Sequence, residues 1–118
     1  MTVKITLPWP AKALHSNSRA HRMAKARSTA KARADAGMMA LAANVCRWPN
    51  AEIKIEYYPP TRRGDPQNVP TSLKAYIDGI ADAMGCDDRG FKVEYPRDFA
   101  GTRKPGDVVF HISEGKEQ

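Results

Sequence analysis

The chain has 118 residues, with 19 Lys or Arg against 13 Asp or Glu and a formal net charge of +6. That length holds one domain with a modest core and excludes two, and two cysteines are too few for a disulfide framework and form no metal-binding spacing. The start shows no signal-peptide core and the longest weakly polar run, residues 37–46, is too short to cross a bilayer. The expectation is a soluble, cytoplasmic protein, with Cys46 and Cys86 packed as small apolar groups in a reducing compartment.

Residues 3–7 alternate Val3, Ile5 and Leu7 against Lys4 and Thr6, the pattern of a half-buried strand. Pro8-Trp9-Pro10 ends it, and a polar loop with His15, Arg19 and His21 follows over residues 11–21. An Ala-rich helix is predicted over residues 22–45. Its expected core stripe is Met23, Ala26, Ala30, Ala34, Met38, Leu41 and Val45, spaced by three or four. Arg22, Lys25 and Arg33 lie off that stripe, whereas Arg27 and Lys31 sit at its edge.

Trp48-Pro49-Asn50 breaks this helix, and a second strand is predicted over residues 52–58 through Ile53, Ile55 and Tyr57. A second helix is expected over residues 70–84, with Pro70 in its first turn and Gly85 just past its end. Its core stripe reads Leu73, Ile77, Ile80, Ala81 and Met84. Residues 91–95 form a third strand through Phe91, Val93 and Tyr95, and residues 107–113 a fourth through Val108, Val109, Phe110 and Ile112. The order β-α-β-α-β-β predicts a small α/β domain, a mixed four-stranded sheet with two main helices.

Charge is segregated along this order. Residues 1–47 carry nine Lys or Arg against one acid, Asp35, whereas the remainder is net −2. A basic arm joined to an acid-containing half suits a nucleic-acid enzyme, one part holding phosphates and the other a metal. Charge alone does not separate that from a solvated cationic helix.

The acids fall in two segments, Arg62-Arg63-Gly64-Asp65-Pro66-Gln67-Asn68 and Gly85-Cys86-Asp87-Asp88. A hard cation such as Mg²⁺ binds through few carboxylates and keeps positions for water and phosphate. Taken alone, Asp65 before Pro66 is a turn opener and Asp87-Asp88 an ordinary turn after a helix. Lys74 and Asp78, at i and i+4, form a surface ion pair by default. The sharper alternative aims Lys74 into the acidic cluster, where it would meet a scissile phosphate. His15, His21 and His111 show no metal spacing, and His111 reads as structural.

The ordered set Asp65-Pro66-Gln67-Asn68, Lys74-Ala75-Tyr76-Ile77-Asp78-Gly79-Ile80 and Asp87-Asp88 resembles the RusA-type Holliday junction resolvases, in particular their phage-encoded branch. Leu7-Pro8-Trp9-Pro10 and the segment Ser16-Asn17-Ser18-Arg19-Ala20-His21 before a basic helix look like the family's start, so the likeness spans nearly the whole chain. The resemblance implies a homodimeric endonuclease of recombination and repair that needs Mg²⁺, or Mn²⁺ in its place, uses no small-molecule cofactor and cuts paired strands of a four-way DNA junction. It implies Asp65 and Asp88 as metal-binding residues and Lys74 as the catalytic lysine. Asp87 and Gln67 are further candidate ligands, and Asn68 and Asp78 candidates for support. Arg19, Arg22, Lys25, Arg27, Lys31, Arg62 and Arg63 are the candidate contacts to DNA phosphates. The chain departs from the family at Gln67, where a second aspartate is usual, and in the extra Val69-Pro70-Thr71 before the lysine helix. Loss of that carboxylate leaves open an alternative of another class, a junction-binding protein that does not cleave.

Overall fold

Alternating apolar residues make three seven-residue strands, β1 (Thr2–Pro8), β2 (Glu52–Tyr58) and β4 (Asp107–Ser113), with a short β3 (Lys92–Glu94) beside them. The computed structural model describes residues 2–11, 14 and 22–115. The sheet order is β1-β4-β2-β3. β4 pairs antiparallel with both β1 and β2, so that Ile5, Phe110 and Ile55 fall in one row across three strands. β3 runs parallel to β2, as a strand reached through a helical crossover can. The sheet is therefore mixed, in a small α/β domain, and no helix of the described residues is long and apolar enough to cross a membrane.

The pleat sends Val3, Ile5, Leu7, Ile53, Ile55, Tyr57, Val108, Phe110 and Ile112 to one buried face. Against it lies α3 (Lys74–Met84), whose Ile77, Ile80 and Met84 belong to the same core cluster, as expected from their spacing. Tyr76 fastens it further, its ring edge-on to Phe110 at 6.0 Å and its hydroxyl donating to the Pro8 carbonyl at 2.7 Å. The long second helix expected over residues 70–84 is two pieces. Residues Val69–Ser72 form a four-residue α2, and the helix is interrupted at Leu73 (φ −95, ψ −4), whose amide donates to the Pro70 carbonyl, before α3 begins. The extra residues before Lys74 are thus absorbed in α2. Gly85 closes α3 in the left-handed region at φ 72, where a side chain would be strained.

α1 (Arg22–Ala42) corrects two expectations. It stops three residues short of Val45, with Asn44 in the left-handed region at φ 63. More important, the stripe expected in the core is on the outside except at Val45, which packs partly buried against the core: Met38 is 70% and Leu41 62% exposed, and Ala26, Ala30 and Ala34 are exposed with them. The buried residues are Ala32, Ala36 and Ala40. Close approach explains the choice. A Cβ on Gly79 of α3 would overlap the Arg33 carbonyl and stand 2.9 Å from the Ala36 Cβ, and one on Gly37 would come within 3.3 Å of the Gly79 carbonyl. Only the small-residue face of α1 fits against α3 at that separation, so the bulkier methionine face turns away.

Two smaller corrections follow. The third strand is Lys92–Glu94 rather than residues 91–95. Cys46 is exposed, because α1 ends before it, whereas Cys86 is partly buried against the core as expected. On the sheet's other face His111 Nε2 lies 2.6 Å from Glu56 Oε1, and the Tyr58 hydroxyl donates to Glu56 at 3.0 Å. His111 is accordingly a structural residue.

Candidate active site

One face of α3 is core, and the other displays Lys74, Asp78 and Asp82 at i, i+4 and i+8. After Gly85 the chain turns back through a short 3₁₀ segment, Asp88–Gly90, capped by the Asp87 carboxylate accepting from the Arg89 amide at 2.9 Å. That turn returns Asp88 to the start of α3. Lys74 Nζ donates to Asp78 Oδ1 at 2.9 Å and to Asp88 Oδ2 at 2.6 Å. The default ion pair is present, and Lys74 also reaches the second acidic segment.

The electrostatics follow from these contacts. Hydrogen bonds to Asp78 and then Asp88 raise the Lys74 ammonium well above the ordinary lysine range. The Lys74 hydrogen bond in turn holds the Asp88 carboxyl below the usual carboxylate range. From α1, Arg33 grips Asp82 with both arms of its guanidinium, Nε at 2.6 Å and Nη2 at 2.8 Å. The pair lowers the Asp82 carboxyl and raises the Arg33 guanidinium. Arg33, Asp78, Asp82, Asp87 and Asp88 together line an open cleft of about 230 Å³. Tyr95, just past β3, has its phenol raised chiefly by burial, with Lys74 and Asp88 both within electrostatic reach.

The other candidate segment leaves β2 as a loop. Arg62, Arg63 and Asp65 are all exposed on it. Asp65 caps the short 3₁₀ segment Pro66–Asn68, its Oδ1 accepting from the Gln67 amide at 2.9 Å. This is the turn-opening role that its sequence alone suggests. Gln67 and Asn68 are exposed, and Asn68 precedes α2 without a side-chain capping bond. Among the described residues no three His, Cys, Asp or Glu side chains converge as a metal-ligand group. The structure therefore brings Lys74, Asp78 and Asp88 together with Asp87 beside them, and leaves Asp65 and Gln67 outside that contact set.

Of the candidate phosphate contacts, Arg22, Lys25 and Arg27 are exposed along α1, and Lys31 is paired to Asp35 at 2.7 Å. Arg19 lies outside the described residues, as do His15 and His21. Two residues of the cleft escaped the sequence reading, Asp82 and Arg33. The i+4 spacing that links Lys74 to Asp78 extends one more turn to Asp82, so that acid was within reach of the pattern. Nothing in the sequence tied Arg33 to an acid 49 positions away.

No family model matches the chain. It is similar to an uncharacterized protein of Xylella fastidiosa (strain Temecula1), 38% identical over an alignment that covers 92% of this chain and 74% of that protein.

Proposed function

We propose that this chain, which belongs to one family with the Xylella fastidiosa protein, is a metal-dependent endonuclease that cuts branched DNA, a RusA-type junction resolvase acting as a homodimer. One observation carries the reading. Lys74 and Asp88, fourteen residues apart and both implicated by the resemblance, meet at 2.6 Å, and Asp88 also lines an open acidic cleft.

The donor chemistry fits a hard divalent cation, since two carboxylates already share one cation and all the oxygens are hard. Asp88 would hold Mg²⁺ or Mn²⁺ with Asp78 or Asp65, Asp87 and Gln67 being further donors nearby in sequence. Such an ion, when bound, supplies an activated water and neutralises charge on the phosphoryl oxygens. Hydrolysis adds that water across one phosphorus–oxygen bond and leaves a phosphate monoester and a sugar hydroxyl. Lys74, a fixed ammonium whose side chain is 64% exposed, presents positive charge and N–H donors to the phosphate. Arg22, Lys25, Arg27, Arg62 and Arg63 hold the flanking backbone, which makes binding salt-dependent and selective for shape rather than base sequence.

A second reading has its own support. Asp65 is engaged by its own turn, Gln67 replaces a carboxylate, and three acids do not converge. Those facts favour a protein that binds junctions without cutting them. The deciding assay incubates the purified chain with a labelled four-way junction or a linear duplex, with Mg²⁺ or with EDTA. Metal-dependent cutting of the junction alone is the expected result. A junction retained un-nicked at every Mg²⁺ and Mn²⁺ concentration would falsify the nuclease reading and leave the binding one.

A further inference from the structure

α1 carries two apolar stripes and uses one. The buried alanines face α3, while Ala30, Ala34, Met38 and Leu41 face outward and line a groove of about 510 Å³ with Gly37 and Arg33, closed on its other side by Asp82 and Ala83 of α3. Large and small residues are separated along this stripe. Its N-terminal half offers alanines, and its C-terminal half offers Met38 and Leu41, which are 70% and 62% exposed. Charge is separated in the same sense. Arg22, Lys25, Arg27, Lys31 and Arg33 precede Asp35, and residues 36–46 carry no charge.

We propose that a second copy of this chain docks on this stripe, the two α1 helices crossing antiparallel about Ala34. That two-fold arrangement sets Met38 of each copy against Ala30 of the other and Leu41 beside the aliphatic stem of Arg27. Side chain meets hollow in both directions. It also lays each basic half along the partner's uncharged half. A parallel crossing would stack Arg27 on Arg27 and Lys31 on Lys31, which like-charge repulsion disfavours. The stripe is thus complementary to itself reversed in volume, and the reversal keeps the two basic halves apart. Arg33 lines both this groove and the acidic cleft, so the partner sits beside the cleft and the two clefts flank one helix pair.

Within the nuclease reading, this interface is that of its homodimer. Its test is the oligomeric state of the full chain by sedimentation equilibrium. A dimer is expected, and Met38→Glu weakens it by about tenfold or more while far-ultraviolet circular dichroism is unchanged. Oxidation of Ala34→Cys gives a covalent dimer, and Lys54→Cys on the open sheet face gives none, both judged in a background with Cys46 and Cys86 replaced by serine. A monomeric wild type, an undiminished dimer in Met38→Glu, or cross-linking through position 54 and not 34 overturns the proposal. A dimer of this kind that cuts no DNA sinks the nuclease reading and leaves the interface standing. A chain that nicks junctions as a monomer does the reverse.

Discussion

The two long helices pack in opposite ways. α3 is held by volume, since Ile77, Ile80 and Met84 fill the space above the sheet. α1 is held by proximity, since alanines and a glycine–glycine approach let it lie close to α3 with little apolar bulk buried. Burying an alanine methyl contributes far less than burying an isoleucine, so α3 is the rigid member and α1 the lightly anchored one. The charged residues divide accordingly. Lys74, Asp78 and Asp82 project from the rigid helix, whereas the exposed Arg22, Lys25 and Arg27 stand on the lighter one.

Four measurements test that division, the first with the largest effect. If α3 is a platform for charge, Lys74→Ala lowers junction cleavage by about a hundredfold or more, yet shifts the unfolding free energy by no more than about 1 kcal/mol because the pair is solvent-exposed. Asp88→Asn should behave alike, with cutting lost and junction binding retained. Loss of binding as well would mark Asp88 as a folding residue. Next comes the contrast in packing, read from urea denaturation. Ile80→Ala, at a fully buried site, costs about 3 kcal/mol, whereas Met38→Ala in the dissociated chain changes stability by less than about 0.5 kcal/mol. Equal losses would mean that α1 is anchored through its methionine face after all.

Gly79→Ala probes the contact between the helices. Alanine is the better helix former by about 1 kcal/mol, but here its methyl meets backbone, and a net loss of about 2 kcal/mol is expected. A gain in the urea midpoint would show that α1 yields freely. The smallest effect is that of pH. Arg33 depresses the Asp82 carboxyl, so this tie between the helices is complete above the unfolded carboxylate value of about 4. It is lost as pH falls through the lower folded value. The wild-type urea midpoint should therefore drop with acid more than that of Asp82→Asn, and parallel curves would remove the Arg33 pair from the stability account.

Strand alternation was the most legible part of the sequence: β2 and β4 fall on residues 52–58 and 107–113 as their patterns predict. The stripe of α3 was equally plain, because its large residues all point one way. α1 misled because hydrophobic periodicity weighs side-chain size, and here the contact selects smallness. Gly37 and Gly79 carried that information, and it becomes readable only when two distant glycines are known to face each other. The break at Leu73 was hidden for a related reason, since Pro70 is as compatible with a short helix followed by a turn as with one long helix. At the cleft, local spacing tied Lys74 to Asp78. Its bond to Asp88 depends on where the turn after Gly85 returns the chain, which local pattern does not encode.

β4 lies between β1 and β2, which do not touch each other. It is also the last strand in chain order among the described residues. Each neighbour's ladder therefore waits on residues 107–113, and the pairing of β1 with β4 closes a loop of nearly the whole chain. Until that segment is available, Val3, Ile5, Ile53 and Ile55 have no central strand to align on. A growing chain cannot assemble this sheet progressively from its N-terminus, so a premature stop before residue 107 should yield aggregation-prone product rather than a smaller folded protein.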